Sequence, residues 1–444
     1  MTAPVAPRLR RLRLADLDEP QRRALTDRAS TATPDIRARA RAIVEAVRDG
    51  GDAALRDANA RFGGGLTEPA DQPALAVDPA DLRAARDRLP RDLRAGLERM
   101  AANIERFHAV EVPPPEQWVT VEPGIEVGRV WRGLDRVAAY VPGGTAAYPS
   151  SLLMSAIPAR LAGVGRYVVA SPASADGRLS PALLGAAGLM EVDEFWVMGG
   201  AQAVGALAYG TESIARVDKI VGPGNAWVTA AKLEVLDRCA IDMPAGPTEV
   251  MVVADDTADP VHVAADLLSQ AEHGPDSPAL LVTPSTRLAD AVEAELSRQL
   301  PTLARRDTLA AAVAAAGMVV LTADVVEALA FADDYAPEHL SCIVVDEAGA
   351  LAALRHTGSL FLGPYAPESA GDYATGSNHV LPTAGGGRAY SPLGVESFGR
   401  WMQVNRVTRD GLARIMPAVA AVAEAEGLTA HRRAVEIRFE DAAP

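Results

Sequence analysis

Seven histidines serve 444 residues, and three of them stand in short polar motifs: Gln270-Ala271-Glu272-His273, Pro337-Glu338-His339 and Glu426-Gly427-Leu428-Thr429-Ala430-His431. Gly371-Asp372-Tyr373 adds a carboxylate, and Gly376-Ser377-Asn378-His379 a further imidazole. Together they offer nitrogen and oxygen ligands suited to zinc, plus a separate carboxylate–imidazole pair for proton transfer. Gln270 and His273 are three apart and share one face of a helix. Amide ligation is uncommon, and a histidine at a helix end is also explained by the helix dipole alone. Glu338 and His339 are sequence neighbours, so they reach one site only from a turn or a strand end, a placement Pro337 favours. Imidazole, with a pKa of ~6.5, is a good general base near neutrality; a surface turn with unrelated charges has the same sequence. Glycines around Asp372 and His379 mark a sharp loop, the usual home of site residues, although aspartate there is also a common turn former.

These residues need a scaffold, and the hydrophobic pattern predicts one. Short apolar runs at 137–141, 166–170, 194–198, 249–254, 279–283, 318–321, 342–345 and 359–362 alternate with alanine-rich helical stretches. That texture belongs to parallel sheets covered on both faces. The stretch 260–273 reads as a helix, with Asp259 as N-cap, Pro260 at the first position and Gly274 as the stop. The expected fold class is α/β: two Rossmann-like domains with parallel-rich sheets, an N-terminal helical segment and a C-terminal helical tail. The segment spans 1–35. The first α/β domain is discontinuous, 36–136 with 248–393, and carries most of the metal and proton-transfer residues. The second spans 137–247. The tail, 394–444, is too short for a core of its own and must dock on its own domains or on a second subunit.

Composition narrows the function. Hydrophobic residues make up 49% and charged residues 23% of the chain, as in ordinary soluble proteins. The net charge of −15 argues against a nucleic-acid partner, which needs clustered basic charge. The longest apolar run, Leu309 to Leu321, falls short of the ~20 residues of a membrane helix. Cys239 and Cys342 lie in or beside apolar segments, outside any Cys-x-x-Cys pair, and read as buried small hydrophobes in a cytoplasmic protein.

Three glycine turns follow strand-like runs in the 137–247 half: Tyr140-Val141-Pro142-Gly143-Gly144, Gly199-Gly200-Ala201-Gln202 and Gly222-Pro223-Gly224-Asn225. Such turns let a ligand approach the backbone and offer N–H groups to phosphate. Neither G-x-G-x-x-G nor a Walker loop is present. Three turns at strand ends tilt the reading toward a nucleotide crevice, against turn chemistry alone.

In order along the chain, these three turns, Pro244-Ala245-Gly246-Pro247-Thr248-Glu249, Ser269 to Gly274, Ala336 to Leu340, Gly371 to Tyr373, Asn378 to Thr383 and Glu426 to His431 resemble the histidinol dehydrogenase family. The resemblance covers most of the chain, 140 to 431. It implies one zinc per subunit, bound by Gln270, His273, Asp372 and His431. It also implies a substrate pocket in which Thr248, His339 and Glu426 join those ligands, and NAD contacts at Tyr140, Gln202 and Asn225. Serine is common in the family where Thr248 stands; the hydroxyl survives, with an added methyl. The implied reaction oxidises L-histidinol through L-histidinaldehyde to L-histidine, the last step of histidine biosynthesis. Two successive hydrides pass to NAD, His339 takes the alcohol proton, and Glu338 activates water. Family members are homodimers in which Glu426 and His431 complete the partner's site. Rival readings are an NAD-dependent dehydrogenase of another polar alcohol on this scaffold, a zinc hydrolase and a binding protein. The hydrolase lacks H-E-x-x-H, and a binding protein has no need of the Glu338-His339 pair.

Overall fold

The computed structural model describes residues 8–28, 33–66, 75–143 and 148–440. Gly144, and residues 1–7, 29–32 and 441–444 of the expected terminal segments, lie outside them. The chain divides into two compact units, Met1–Glu111 with Leu134–Phe398, and Val112–Gly133 with Gly399–Pro444.

The first unit is mixed α/β with two six-stranded sheets, as the alternating pattern predicts. In sheet one the order is Arg10–Arg13, Gly317–Leu321, Ala279–Thr283, Val250–Ala254, His339–Ile343, Ser359–Leu362, all parallel. Its central strands are buried on both faces. Val250, Val252 and Ala254 face one core with Leu267, Leu288 and Leu309, while Met251 and Val253 face the other with Phe331 and Tyr335. This explains why the strands read as unbroken apolar runs.

In sheet two the order is Ala76–Val77, Glu194–Val197, Arg166–Ser171, Arg136–Tyr140, Lys219–Val221, Ala240–Ile241, with only the first pairing antiparallel. The long helix Pro34–Phe62, kinked at Gly51, packs on the helices Gly200–Tyr209 and Ala226–Glu234. Small side chains permit the approach: a Cβ on Gly205 would lie 3.2 Å from the Val44 Cα.

The packing departs from the expected division in three places, one of them residues 112–133, which fall in the second unit with 399–444 and not with 248–393. Helices between residues 34 and 87 pack on sheet two, not with 248–393, and the 10–13 stretch is a strand of sheet one rather than helix. Lone helices show their apolar stripe in sequence but not the surface that covers it. The expected strand at 342–345 begins earlier, at His339, because His339 and Ser341 are polar yet buried.

The second unit holds an antiparallel sheet, Glu116–Glu122, Ile125–Gly133 and Gly399–Val407, with helices Arg409–Ala425 and Thr429–Glu436. The tail is therefore not purely helical. Its sheet is joined by side chains across strands: Trp131 meets Trp401 edge-on at 5.5 Å, and Arg129 and Arg406 stack over Trp401 and Trp118. Val119, Val121, Met402, Val422 and Leu428 are exposed. Cys239 and Cys342 are free and buried, as read from the sequence. Among the described residues no helix is long and apolar enough to cross a membrane.

Candidate active site

Three neighbouring strands of sheet one start level with one another, Val250 opposite His339 and His339 opposite Ser359. The residues at these amino ends therefore meet. The Glu249 N–H donates to Glu338 Oε2 (2.9 Å), and the Glu338 N–H donates back to Glu249 Oε1 (3.3 Å). Glu249 also accepts from the Ala384 N–H at 3.1 Å, the Tyr335 hydroxyl at 3.3 Å, and Arg28, whose guanidinium stacks 3.4 Å from the Tyr335 ring. Glu249 is thus a satisfied, ion-paired carboxylate behind the site.

Glu338 is different. Burial pushes its carboxyl well above the usual range, a Thr248 hydrogen bond pulls it down, and the Asp372 charge pushes it up. His339 lies 3.1 Å through Nδ1 from the Glu249 carbonyl, so Nδ1 carries the proton and Nε2 the lone pair. Nε2 has no hydrogen-bond partner and lies 3.8 Å from Asp372 Oδ1. Burial lowers the imidazole to about 4, against the pull of Asp372, so at neutral pH it is an uncharged base.

The helix Pro260–Ala271 runs back from the end of the Val250–Ala254 strand, which brings its last turn to this same amino edge. Asp259 caps it through the Val261 N–H, as its sequence predicts. Gln270, on that turn, is wholly buried, and neither amide atom has a partner. A buried amide left unpaired costs about 1–3 kcal/mol, so it marks a place for a ligand. His273, just beyond the helix, is exposed, and the Asp372 charge acts on it and on His339. Asp372 sits on the Glu368–Tyr373 helix, which packs against Pro260–Ala271. His379 Nδ1 donates to the Asp372 carbonyl (3.0 Å), leaving Nε2 to accept from the Ser151 hydroxyl (3.0 Å).

Glu368 was missed in the sequence. It is buried, lies 3.6 Å through Oε1 from His339 Nδ1, has an unpartnered Oε2, and is pushed well above the usual range, first by burial and then by Asp372. Its spacing of four from Asp372, on one helix face, was the available signal. Glu426 and His431 stand exposed in the second unit, around a turn at Gly427 with φ +72°. Among the described residues no three His, Cys, Asp or Glu side chains are grouped for a metal. The predicted set places only His273 and Asp372 of those types in the first unit, since Gln270 is an amide.

The glycine turns lie at the opposite kind of edge, the carboxyl ends of sheet two. The Tyr140 hydroxyl accepts from the Gly200 N–H at 3.2 Å. Gln202 Nε2 donates to Asn59 Oδ1 (3.2 Å) and the Gly63 carbonyl (3.3 Å), and Asn225 caps the next helix through the N–H groups of Trp227 and Val228. Tyr140 ends one strand and Asn225 follows its neighbour Lys219–Val221, where the strand order reverses. That is a topological switch point, the usual ligand crevice of such sheets.

A model of the family described as "Histidinol dehydrogenase" matches residues 26–439. The histidinol dehydrogenase of Vibrio parahaemolyticus is 43% identical over 428 residues, covering 96% of this chain and 97% of that one. That of Methanothermobacter thermautotrophicus is 42% identical over 431 residues, 97% and 100% of the two chains. The crystal structure of histidinol dehydrogenase from Elizabethkingia anophelis superposes with a TM-score of 0.90 at 34% identity, over 98% and 99% of the two chains. The chain belongs to the histidinol dehydrogenase family. It is an enzyme, an oxidoreductase.

Proposed function

We propose that this member of the histidinol dehydrogenase family oxidises L-histidinol to L-histidine with NAD and one zinc ion per subunit, in the cytoplasm. The observation that carries this is that the buried Gln270 amide and His339 Nε2 lack partners, His339 Nε2 lying 3.8 Å from Asp372 Oδ1. Gln270, His273 and Asp372 would hold the zinc with His431 of a second copy, a nitrogen and oxygen set that suits this metal. When bound, zinc would hold the substrate's amine and imidazole, and NAD would accept hydride. Thr248 and Glu426 would line the substrate, and Tyr140, Gln202 and Asn225 the cofactor.

The chain's own groups supply the proton transfers. His339 Nε2 takes the hydroxyl proton as hydride leaves, which gives the aldehyde. Glu338, a strong base once ionised because burial disfavours its charge, takes a proton from water as that water adds to the aldehyde. His339, relieved of its first proton, takes one from the hydrate as the second hydride leaves. A homodimer with shared sites follows from the reading of Glu426 and His431 as completing the partner's site, and the second unit has exposed apolar side chains for such a contact, Val119, Val121 and Met402 among them.

Mixing protein, NAD and histidinol tests the reading. Two NADH per histidine formed is expected, with turnover abolished by a chelator and restored by Zn²⁺. One NADH per histidinol with aldehyde as end product, or turnover indifferent to chelation, overturns it.

A further inference from the structure

Of the chain's 43 basic residues only two, Lys219 and Lys232, are lysine. Where arginine fills nearly every basic position, a lysine that remains points to surroundings that suit only a compact ammonium. Both flank one place. Lys219 opens the Lys219–Val221 strand, Lys232 lies on the Ala226–Glu234 helix, and the Gly222–Asn225 turn joins the two. Lys219 Nζ donates to the Ser397 carbonyl at 2.7 Å.

Lys232 is 3% exposed, and its Nζ donates to the buried Asp242 carboxylate and to the Gly222 carbonyl (3.1 Å). Asp242 Oδ2 accepts from the Gly222 N–H (2.7 Å), and Oδ1 also accepts from the Met243 N–H (2.8 Å). One buried ion pair thus grips both backbone polar groups of a single residue. Three donors on a small tetrahedral head match this grip; a planar guanidinium has a larger, fixed fork. Gly222 has φ +103°, and a Cβ there would lie 2.2 Å from the Tyr140 carbonyl oxygen. The gripped peptide therefore rests on the end of the Arg136–Tyr140 strand, at the switch point. Buried ion pairs seldom add stability over apolar packing, because desolvation offsets their attraction. A single backbone arrangement is what this one supplies.

We infer that Lys232 and Asp242 are positioning residues for the cofactor: they preset the Gly222 peptide, and with it Asn225, in the shape that receives a dinucleotide. The inference rests on the reading of these turns as the NAD site. A turn set beforehand does not draw its ordering cost from binding energy.

Amide exchange on the wild-type protein is the first test. The Gly222 amide is expected to be protected equally with and without NADH; free exchange until NADH is added overturns the inference. The second test is NADH affinity by fluorescence, without histidinol. Lys232→Met and Asp242→Asn are expected to weaken it about tenfold, the cost of ordering such a segment on binding. Their kcat at saturating NAD and their KM for histidinol should stay within about twofold of wild type. Lys232→Arg should not restore affinity. Asn225→Ser, which keeps the helix cap, separates the two claims. If it and Lys232→Met both leave NADH binding unchanged, the cofactor-site reading fails; if only Lys232→Met does, the inference fails alone. Should the Lys232 and Asp242 variants not fold, wild-type exchange decides.

Discussion

The two sheet edges solve opposite problems. At the amino edge of sheet one, charged and polar side chains are buried and left incomplete: both amide atoms of Gln270, His339 Nε2 and Glu368 Oε2 have no partner. At the carboxyl edge of sheet two the polar side chains of the turns are already engaged, although Ser171 Oγ, at the end of the Arg166–Ser171 strand, is buried without a partner. Tyr140 bonds Gly200, Gln202 bonds Asn59 and Gly63, Asn225 caps a helix, and Lys232 with Asp242 holds Gly222. One edge offers side-chain chemistry that a ligand must complete. The other offers a shaped stretch of backbone. Unpaired buried polar groups are expensive, so the first edge has groups for a ligand to satisfy, while the polar groups of the turns at the second are paired within the chain.

The contrast implies that variants at the first edge alter chemistry and leave NADH affinity alone. The largest effect is expected for His339→Asn, which keeps a polar group at Nδ1 and removes the base at Nε2. Oxidation of histidinol and of supplied histidinaldehyde should both fall by about 10²–10⁴-fold, with the NADH dissociation constant unchanged. A weakened NADH complex would break the comparison.

Glu338→Gln should divide the two steps. It preserves the shape that accepts the Glu249 N–H and removes only the proton acceptor. Oxidation of supplied aldehyde is expected to drop about 10²-fold, and oxidation of the alcohol far less. Equal losses in the two half-reactions would end the assignment of water activation to Glu338.

A second copy sharpens the comparison further, because only the incomplete edge should need one. His431→Ala and His273→Ala homodimers are each expected to be inactive. After mixing and random subunit exchange, half the dimers are mixed and each mixed dimer has one intact site, so about a quarter of wild-type activity should return. No recovery in verified mixed dimers counts against a shared site.

Much of this contrast was legible in the sequence, for a physical reason. The glycine turns, the Asp259 cap and the apolar strands are local patterns, and they lie where their residues indicate. What escaped was long-range. Nothing local shows that Arg28 pairs with Glu249, 221 residues away, or that the Arg10–Arg13 strand joins sheet one. The strand His339–Ile343 was read late because its polar residues are buried for the site's sake, which breaks the hydrophobic signal. Gly399–Val407 escaped because its sheet exposes both faces and holds together through aromatic and arginine contacts between strands.

The smallest effect expected concerns stability. Asp266, one turn before Gln270 on the same helix, is buried; burial pushes its carboxyl up to about 6, against a hydrogen bond from Ser341 and the nearby His262. An acid held above its unfolded value of ~3.9 is bound to its proton more tightly in the folded chain. Its contribution to stability is therefore complete below about pH 4, declines as pH rises, and is lost above about pH 6. Asp266→Asn keeps an acceptor for Ser341 and never ionises. Its melting temperature should exceed wild type by more at pH 7.5 than at pH 5, within a ceiling of about 3 kcal/mol set by a shift of that size. A gain that does not grow with pH would mean that Asp266 already ionises freely in the fold, and that the amino edge is better solvated than its unpartnered side chains indicate.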